Sequence, residues 1–218
     1  MSKPKLISFK ICPFVQRSII LLKEKGVDYD IEYIDVYDPP KWFLEISPTG
    51  KVPVMQVDDT VLFESAVINE YIDEVYPPQV HPSNPLTKAK NRAWMEYTSP
   101  LYMGTFKIIM SKEKDAMEKA LEEFEKNLAG LEKAKQNKPW FNGEDFSMMD
   151  ISAAPIFTRV KFIKEHCDLN LLKNLPELQL WSDDLLARET VKDSAVEGFD
   201  DLLLTRMKDN ESYILQSS

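Results

Sequence analysis

The sequence predicts an α/β unit followed by an all-helical one. Three observations carry that reading. Over residues 1–76, apolar runs of strand length alternate with segments of helical period. Over residues 77–85, Pro77, Pro78, Pro82 and Pro85 place four of the chain's 14 prolines within nine residues, so neither helix nor strand can continue through them. Over residues 86–218 the apolar pattern is helical and no strand is expected. The predicted division is a first domain at 1–76, a Pro-rich linker at 77–85 and a helical domain at 86–218. The 218 residues suit two modest domains.

In the first unit, Leu6, Ile7, Phe9 and Ile11 form an apolar strand that Cys12-Pro13 ends. Phe14, Val15, Ile19, Ile20 and Leu22 then recur at helical spacing, with Pro13 at the first helical position and Gly26 past the end. Tyr29 to Val36 alternates as a second strand, closed by Asp38-Pro39-Pro40. A short helical turn is expected around Trp42–Ile46, then a turn at Ser47-Pro48-Thr49-Gly50. Residues 52–57 and 60–63 read as a hairpin about Asp58-Asp59. Glu64-Ser65 opens a helix with Ala66, Ile68, Tyr71 and Ile72 on its apolar face. The order is β-α-β-(α)-β-β-α: a right-handed crossover joins two parallel strands, and the hairpin adds an antiparallel edge.

In the second unit, Ala89, Ala93, Met95, Tyr97 and Leu101 begin a long helix that Pro100 is expected to kink or restart. Ala116, Leu121, Phe124, Leu128 and Leu131 make a second, whose charged run 112–126 reads as a solvated face. Trp140-Phe141-Asn142-Gly143 is a turn. Ser147 and Asp150 have the spacing of a reciprocal helix cap, which predicts a buried helix through Ala153, Ile156, Val160 and Ile163. A shorter helix follows Pro176. The tail after Gly198 is acidic, then polar, and is expected to be loosely held.

Composition excludes several function classes. Apolar residues at 44% and charged residues at 29% are the balance of a globular chain, not a disordered one. No apolar run approaches the ~18 residues a membrane span needs. Lys10 interrupts the first apolar stretch, so no leader is expected and a cytoplasmic location is. The net charge of −9 is shared by both parts, which argues against nucleic-acid and anionic-membrane partners. Two cysteines and two histidines are too few for a zinc cluster, so no metal and no structural disulfide are expected.

Cys12 is the sharpest candidate. It stands where a strand ends and a helix begins, beside free N–H groups and the positive end of the helix dipole. That setting can lower a cysteine pKa from ~8.5 to ~3.5–7.5, and a thiolate is the nucleophile of disulfide exchange. A buried small hydrophobe is the blander alternative. Val15 occupies the position of a resolving cysteine, so any partner sulfur must come from another molecule. Val52-Pro53 heads a strand. Were the bond cis, the Val52 backbone would be free to pair with an extended ligand. An ordinary edge proline would look the same. Ser65 is a natural N-cap whose following N–H groups suit a carboxylate, and Glu64 suits an ammonium. Plain capping explains that pair too. All three features fall at ends of adjacent strands, where α/β ligand sites gather. Tyr97, Tyr102, Met103 and Phe106 read as core by default. Gly104 and Pro100 among them suggest a cleft lined by Tyr102 or Phe106. His166-Cys167 reads as structural, near a helix C-terminus.

On these residues the chain resembles the cytosolic glutathione transferases. The carriers are Ser47-Pro48-Thr49-Gly50-Lys51-Val52-Pro53, Phe63-Glu64-Ser65-Ala66 and the Ser147–Asp150 cap, and the likeness spans nearly the whole chain. Cys12-Pro13-Phe14 with Arg17, together with Trp42-Phe43, is similar to the omega-class, cysteine-type enzymes; the lack of their N-terminal extension suggests a bacterial member. The resemblance implies a thioredoxin-like first domain with a mixed four-stranded sheet, glutathione as co-substrate, and a homodimer. It implies that Cys12 forms a mixed disulfide with glutathione, Phe14 lines the site, and the Val52 backbone at Pro53 pairs with the cysteinyl part. Glu64 and Ser65 would hold the γ-glutamyl end. The class places Lys before its Pro-x-Trp-Phe stretch; here that residue is Pro39, leaving Lys41 nearby for the glycine carboxylate and implying weaker affinity there.

Three activities are open at this point. The first is a thiol transferase or dehydroascorbate reductase taking a small-molecule or protein disulfide. The second is a non-catalytic interaction module like the starvation-protein factors that bind RNA polymerase; fold does not fix function. The third, conjugation of glutathione to electrophiles, needs a Tyr or Ser hydroxyl at the sulfur, and Ser8 and Ser18 are poorly placed for it.

Overall fold

The computed structural model describes residues 3–135 and 138–216. Strands β1 (Lys5–Ser8), β2 (Asp30–Tyr33), β3 (Val54–Val57) and β4 (Thr60–Phe63) form one mixed sheet in the order β2-β1-β3-β4. β1 and β2 run parallel; β3 is antiparallel to both β1 and β4. Helix α1 (Pro13–Glu24) makes the parallel crossover, α2 (Lys41–Ile46) follows β2, and α3 (Ser65–Val75) follows β4. This is the thioredoxin-like arrangement.

Period-two alternation divides the sheet's side chains between two cores. Leu6 pairs with Met55, and both join the large cluster with Ile20, Leu21 and Ile68 from α1 and α3. Ile7 pairs with Val54, and both join a small cluster closed by Phe43 of α2.

The rest is helical: α4 (Pro85–Met110), α5 (Lys114–Ala134), α6 (Met148–His166), α7 (Pro176–Ala187), α8 (Glu189–Lys192), α9 (Phe199–Asp209) and α10 (Tyr213–Gln216). Asn84 caps α4, its Oδ1 accepting from the N–H groups of Leu86 and Thr87 at 3.0 Å. α6 is the hub, buried without a break from Met148 to Phe157, and packs on both α4 and α1. Asp150 anchors its start. Oδ2 accepts from the Ser147 N–H at 2.9 Å and the Ser147 hydroxyl at 2.8 Å, while Oδ1 accepts from the Phe141 N–H and the Trp181 indole at 2.8 Å. α1 is thus held between the sheet and α6, which fixes the residue at its start.

Val80 and His81, past the end of α3, are tied to a buried ion pair. Lys25 Nζ lies 2.6 Å from Asp73 Oδ1, both side chains 1% exposed. Asp73 also accepts from the N–H groups of Val80 and His81. Breaking such a buried pair costs on the order of 3–5 kcal/mol.

Three expectations are corrected. Pro100 does not restart its helix: α4 runs unbroken from Pro85 to Met110. Gly104 does not open a cleft. A Cβ there would meet Phe124 Cδ2 at 2.6 Å, so the glycine allows α4 and α5 to close together. The tail after Gly198 is not loosely held over residues 199–216; residues 217 and 218 lie outside the described residues. Phe199, Leu203 and Met207 recur every four residues and are buried, and the Tyr213 N–H donates to the Ser111 carbonyl at 2.8 Å.

Candidate functional site: the turn from β1 into α1

Cys12 is the N-cap residue of α1, with extended backbone (φ −78°, ψ 121°) and Pro13 next in the helix. Its N–H donates to the Phe9 carbonyl at 3.0 Å, and its carbonyl accepts from the Gln16 N–H at 3.1 Å. The thiol makes no capping hydrogen bond, but the nearby N–H groups of Val15 and Phe14 and the guanidinium groups of Arg159 and Arg17 favour its anion. Burial outweighs them: the half-buried thiol is pushed above its ordinary value. This corrects the expected depression. A helix start lowers a thiol pKa where the sulfur is also hydrated, and here low-dielectric surroundings dominate.

Phe14 stands edge-on to Tyr102, centroids 4.9 Å apart. The Arg17 guanidinium lies 5.8 Å from the Phe14 ring and 5.7 Å from the Tyr102 ring. Arg17 Nε and Nη2 donate to Ser65 Oγ at 3.0 and 2.6 Å. Ser65 is therefore not the N-cap. It is the first residue of α3, its hydroxyl is taken by Arg17, and Glu64 occupies the cap. Glu64 is exposed and adopts φ +66°, a left-handed conformation that glutamate rarely takes.

The Val52-Pro53 bond is cis, and Val52 precedes β3, making no backbone hydrogen bond within the described residues. Cys12, Phe14, Ser65 and the Val52-Pro53 bond thus share one end of the sheet. Lys41 is exposed at the first turn of α2. The pair assigned to a second cleft separates. Phe106 is 37% exposed, but Tyr102 has no exposed surface and donates its hydroxyl to the Ser152 carbonyl. Tyr102 supports Phe14 from behind and lines no open cleft. Cys167 is buried at the end of α6, its thiol pushed up to about 11.

Sequence reasoning missed Gln16 and Arg159. Gln16 Nε2 donates to Thr158 Oγ1 at 3.2 Å and Ser194 Oγ at 3.1 Å, while its Oε1 accepts from Arg159. A signal was available for Arg159. It falls on the apolar stripe of α6, three residues after Ile156 and four before Ile163, where a charge is out of place.

Comparison with known proteins agrees with this fold. The family model described as glutathione S-transferase, N-terminal domain, matches residues 11–75, and the one for the C-terminal domain matches residues 114–184. Rat glutathione S-transferase omega-1 is 34% identical over 182 residues, 81% of this chain and 74% of the rat protein. The chloroplastic glutathione S-transferase DHAR3 of Arabidopsis thaliana is 30% identical over 85% of this chain and 69% of its own length. Among solved structures, glutathione transferase Omega 3C from Trametes versicolor superposes with a TM-score of 0.78 at 25% identity, covering 89% of each chain. No helix among the described residues is long and apolar enough to cross a membrane.

Proposed function

The chain belongs to the glutathione S-transferase family, and within it we propose a glutathione-dependent thiol transferase or dehydroascorbate reductase that works through a Cys12 mixed disulfide. The family uses glutathione as co-substrate. The observation that carries the proposal is Cys12 at the N-cap of α1, at the same end of the sheet as the cis Val52-Pro53 bond and the start of α3. Phe14 lines the site. The Val52 backbone beside Pro53 takes the cysteinyl part of glutathione. Glu64 takes the γ-glutamyl ammonium, the N–H groups at Ser65 take its carboxylate, and Lys41 takes the glycine end. Phe106 borders the second substrate.

The exchange proceeds in two displacements. Cys12 loses its proton, and the thiolate attacks the glutathionyl sulfur of a mixed disulfide. The S–S electron pair leaves on the substrate sulfur, which takes up a proton. The thiolate of a second glutathione attacks the same glutathionyl sulfur, releasing oxidised glutathione and the Cys12 thiolate. Burial keeps the thiolate population small, and its higher basicity makes each anion the better nucleophile. The second substrate is a small-molecule or protein disulfide, and the proposal includes a cytoplasmic homodimer. Cys12→Ser is expected to retain glutathione binding by calorimetry while losing turnover; turnover in that variant would exclude the covalent route.

One observation favours a second reading, a non-catalytic interaction module: the burial that pushes the Cys12 thiol up. The two readings part on glutathione binding, which the module does not require.

A further inference from the structure

Arg159 is 3% exposed in the middle of α6. Its Nη1 donates to Gln16 Oε1 at 2.7 Å and to the Pro155 carbonyl at 2.8 Å, and its Nη2 donates to the Ile11 carbonyl at 2.7 Å. All three acceptors are neutral. No carboxylate among the described residues lies within ion-pair distance of it. The Phe199 ring covers the guanidinium at 5.3 Å. A cation buried without a counter-charge is costly, and neutral acceptors offset only part of that cost.

The acidic groups that reach it are the Cys12 thiol and the Tyr102 phenol. Tyr102 is committed to the Ser152 carbonyl. Cys12 and Arg159 line one cavity of about 10 Å³ between the β1–α1 turn and α6, room for a single water. Lys10 and Tyr33 border the same cavity. From its own helix Cys12 also faces Arg17 and the N–H groups of Phe14 and Val15. Burial lowers the Arg159 pKa to about 10, which leaves it charged at neutral pH.

We propose that Arg159 is a positioning residue whose buried, otherwise unbalanced charge is matched by the Cys12 thiolate, and that its bond to the Ile11 carbonyl fixes the turn that presents the sulfur. The inference rests on Cys12 being the nucleophile. It has a consequence for the second displacement. A glutathionylated Cys12 is neutral and leaves Arg159 uncompensated, so transfer of the S–S electron pair back to Cys12 restores the charge balance. Arg159 therefore favours release of the thiolate over accumulation of the mixed disulfide.

The test is the pH profile of Cys12 alkylation by iodoacetamide, read on the Cys12 peptide of the full-length protein. Arg159→Gln keeps a buried polar amide and removes the charge. Its profile is expected to move up by about one pH unit, a roughly threefold slower reaction at neutral pH, with a limiting rate at high pH no lower than wild type. Arg159→Lys restores the charge and is expected to stay close to wild type. A Gln variant with lowered melting temperature and an unmoved profile would reduce Arg159 to a structural role. Should the Gln variant not fold, Lys decides alone: a profile displaced by a full unit despite the retained charge overturns the inference. Incubating wild type with oxidised glutathione separates this from the parent proposal. An adduct on Cys12 with no Arg159 effect sinks only this inference. An Arg159 effect with no adduct sinks the transferase, and with it the consequence for the second displacement, but leaves the pairing of Arg159 with the Cys12 thiolate standing.

Discussion

Arg17 Nε and Nη2 both donate to the hydroxyl of Ser65, so the helix that starts at the cysteine is clamped to the helix that starts beside the strained Glu64 turn. The clamp is dry: Arg17 is 4% exposed and Ser65 3%. A forked donor on one oxygen fixes both direction and distance, which a single flexible ammonium does not.

Arg17→Met keeps much of the buried volume and removes the fork. The Ser65 hydroxyl then loses its donors, and the N–H groups at the start of α3 lose their register with Cys12. Glutathione affinity is expected to fall about tenfold, the order of a charge-assisted hydrogen bond worth ~1.5 kcal/mol. Calorimetric titration with glutathione checks it; unchanged affinity would mean Ser65 is placed by the sheet alone.

The half-buried Cys12 thiol sets a pH dependence. The Cys12 pKa lies above the ordinary value, so thiolate is scarce at neutral pH and accumulates as pH rises. Transfer activity, with substrate saturating, is expected to climb through the alkaline range instead of levelling near neutrality. A stopped-flow or coupled-assay profile from pH 6 to 10 checks the sign, and a plateau already reached at neutral pH would contradict it.

Gly104 tests the packing under the site. Phe124 is 1% exposed, and its ring edge stands where an alanine methyl would go, so the ring cannot swing away into solvent. Gly104→Ala is expected to destabilise by about 1–3 kcal/mol through overpacking. Urea unfolding measures it; a neutral or stabilising result would show that α4 and α5 have slack.

How much of this was legible in the sequence depended on punctuation. Pro13 and Gly26 bracket α1, Pro40 stands at the N-cap of α2, and Ser147 with Asp150 marks the start of α6, whereas β2 ends at Tyr33, well before the expected stop at Asp38-Pro39-Pro40. These residues act through local backbone chemistry, which a single chain displays. The sheet-end position of Cys12, Val52-Pro53 and Glu64-Ser65 followed from strand order alone. What depended on neighbours far along the chain was misread or missed. Tyr102 has the same helical period whether it lines a cleft or a core, and only α6 packed against it decides. Ser65 looks like a cap until Arg17, 48 positions earlier, claims its hydroxyl. The tail was masked by its acidic residues although Phe199, Leu203 and Met207 carried a clear stripe. The thiol's upward shift is a matter of how much protein surrounds it, which motif spacing does not encode.

The most direct test of the covalent account is intact-protein mass spectrometry after incubation with oxidised glutathione, followed by peptide mapping. One glutathionyl adduct on Cys12 and none on the buried Cys167 is the predicted result. An unmodified protein, or modification confined to Cys167, would contradict it.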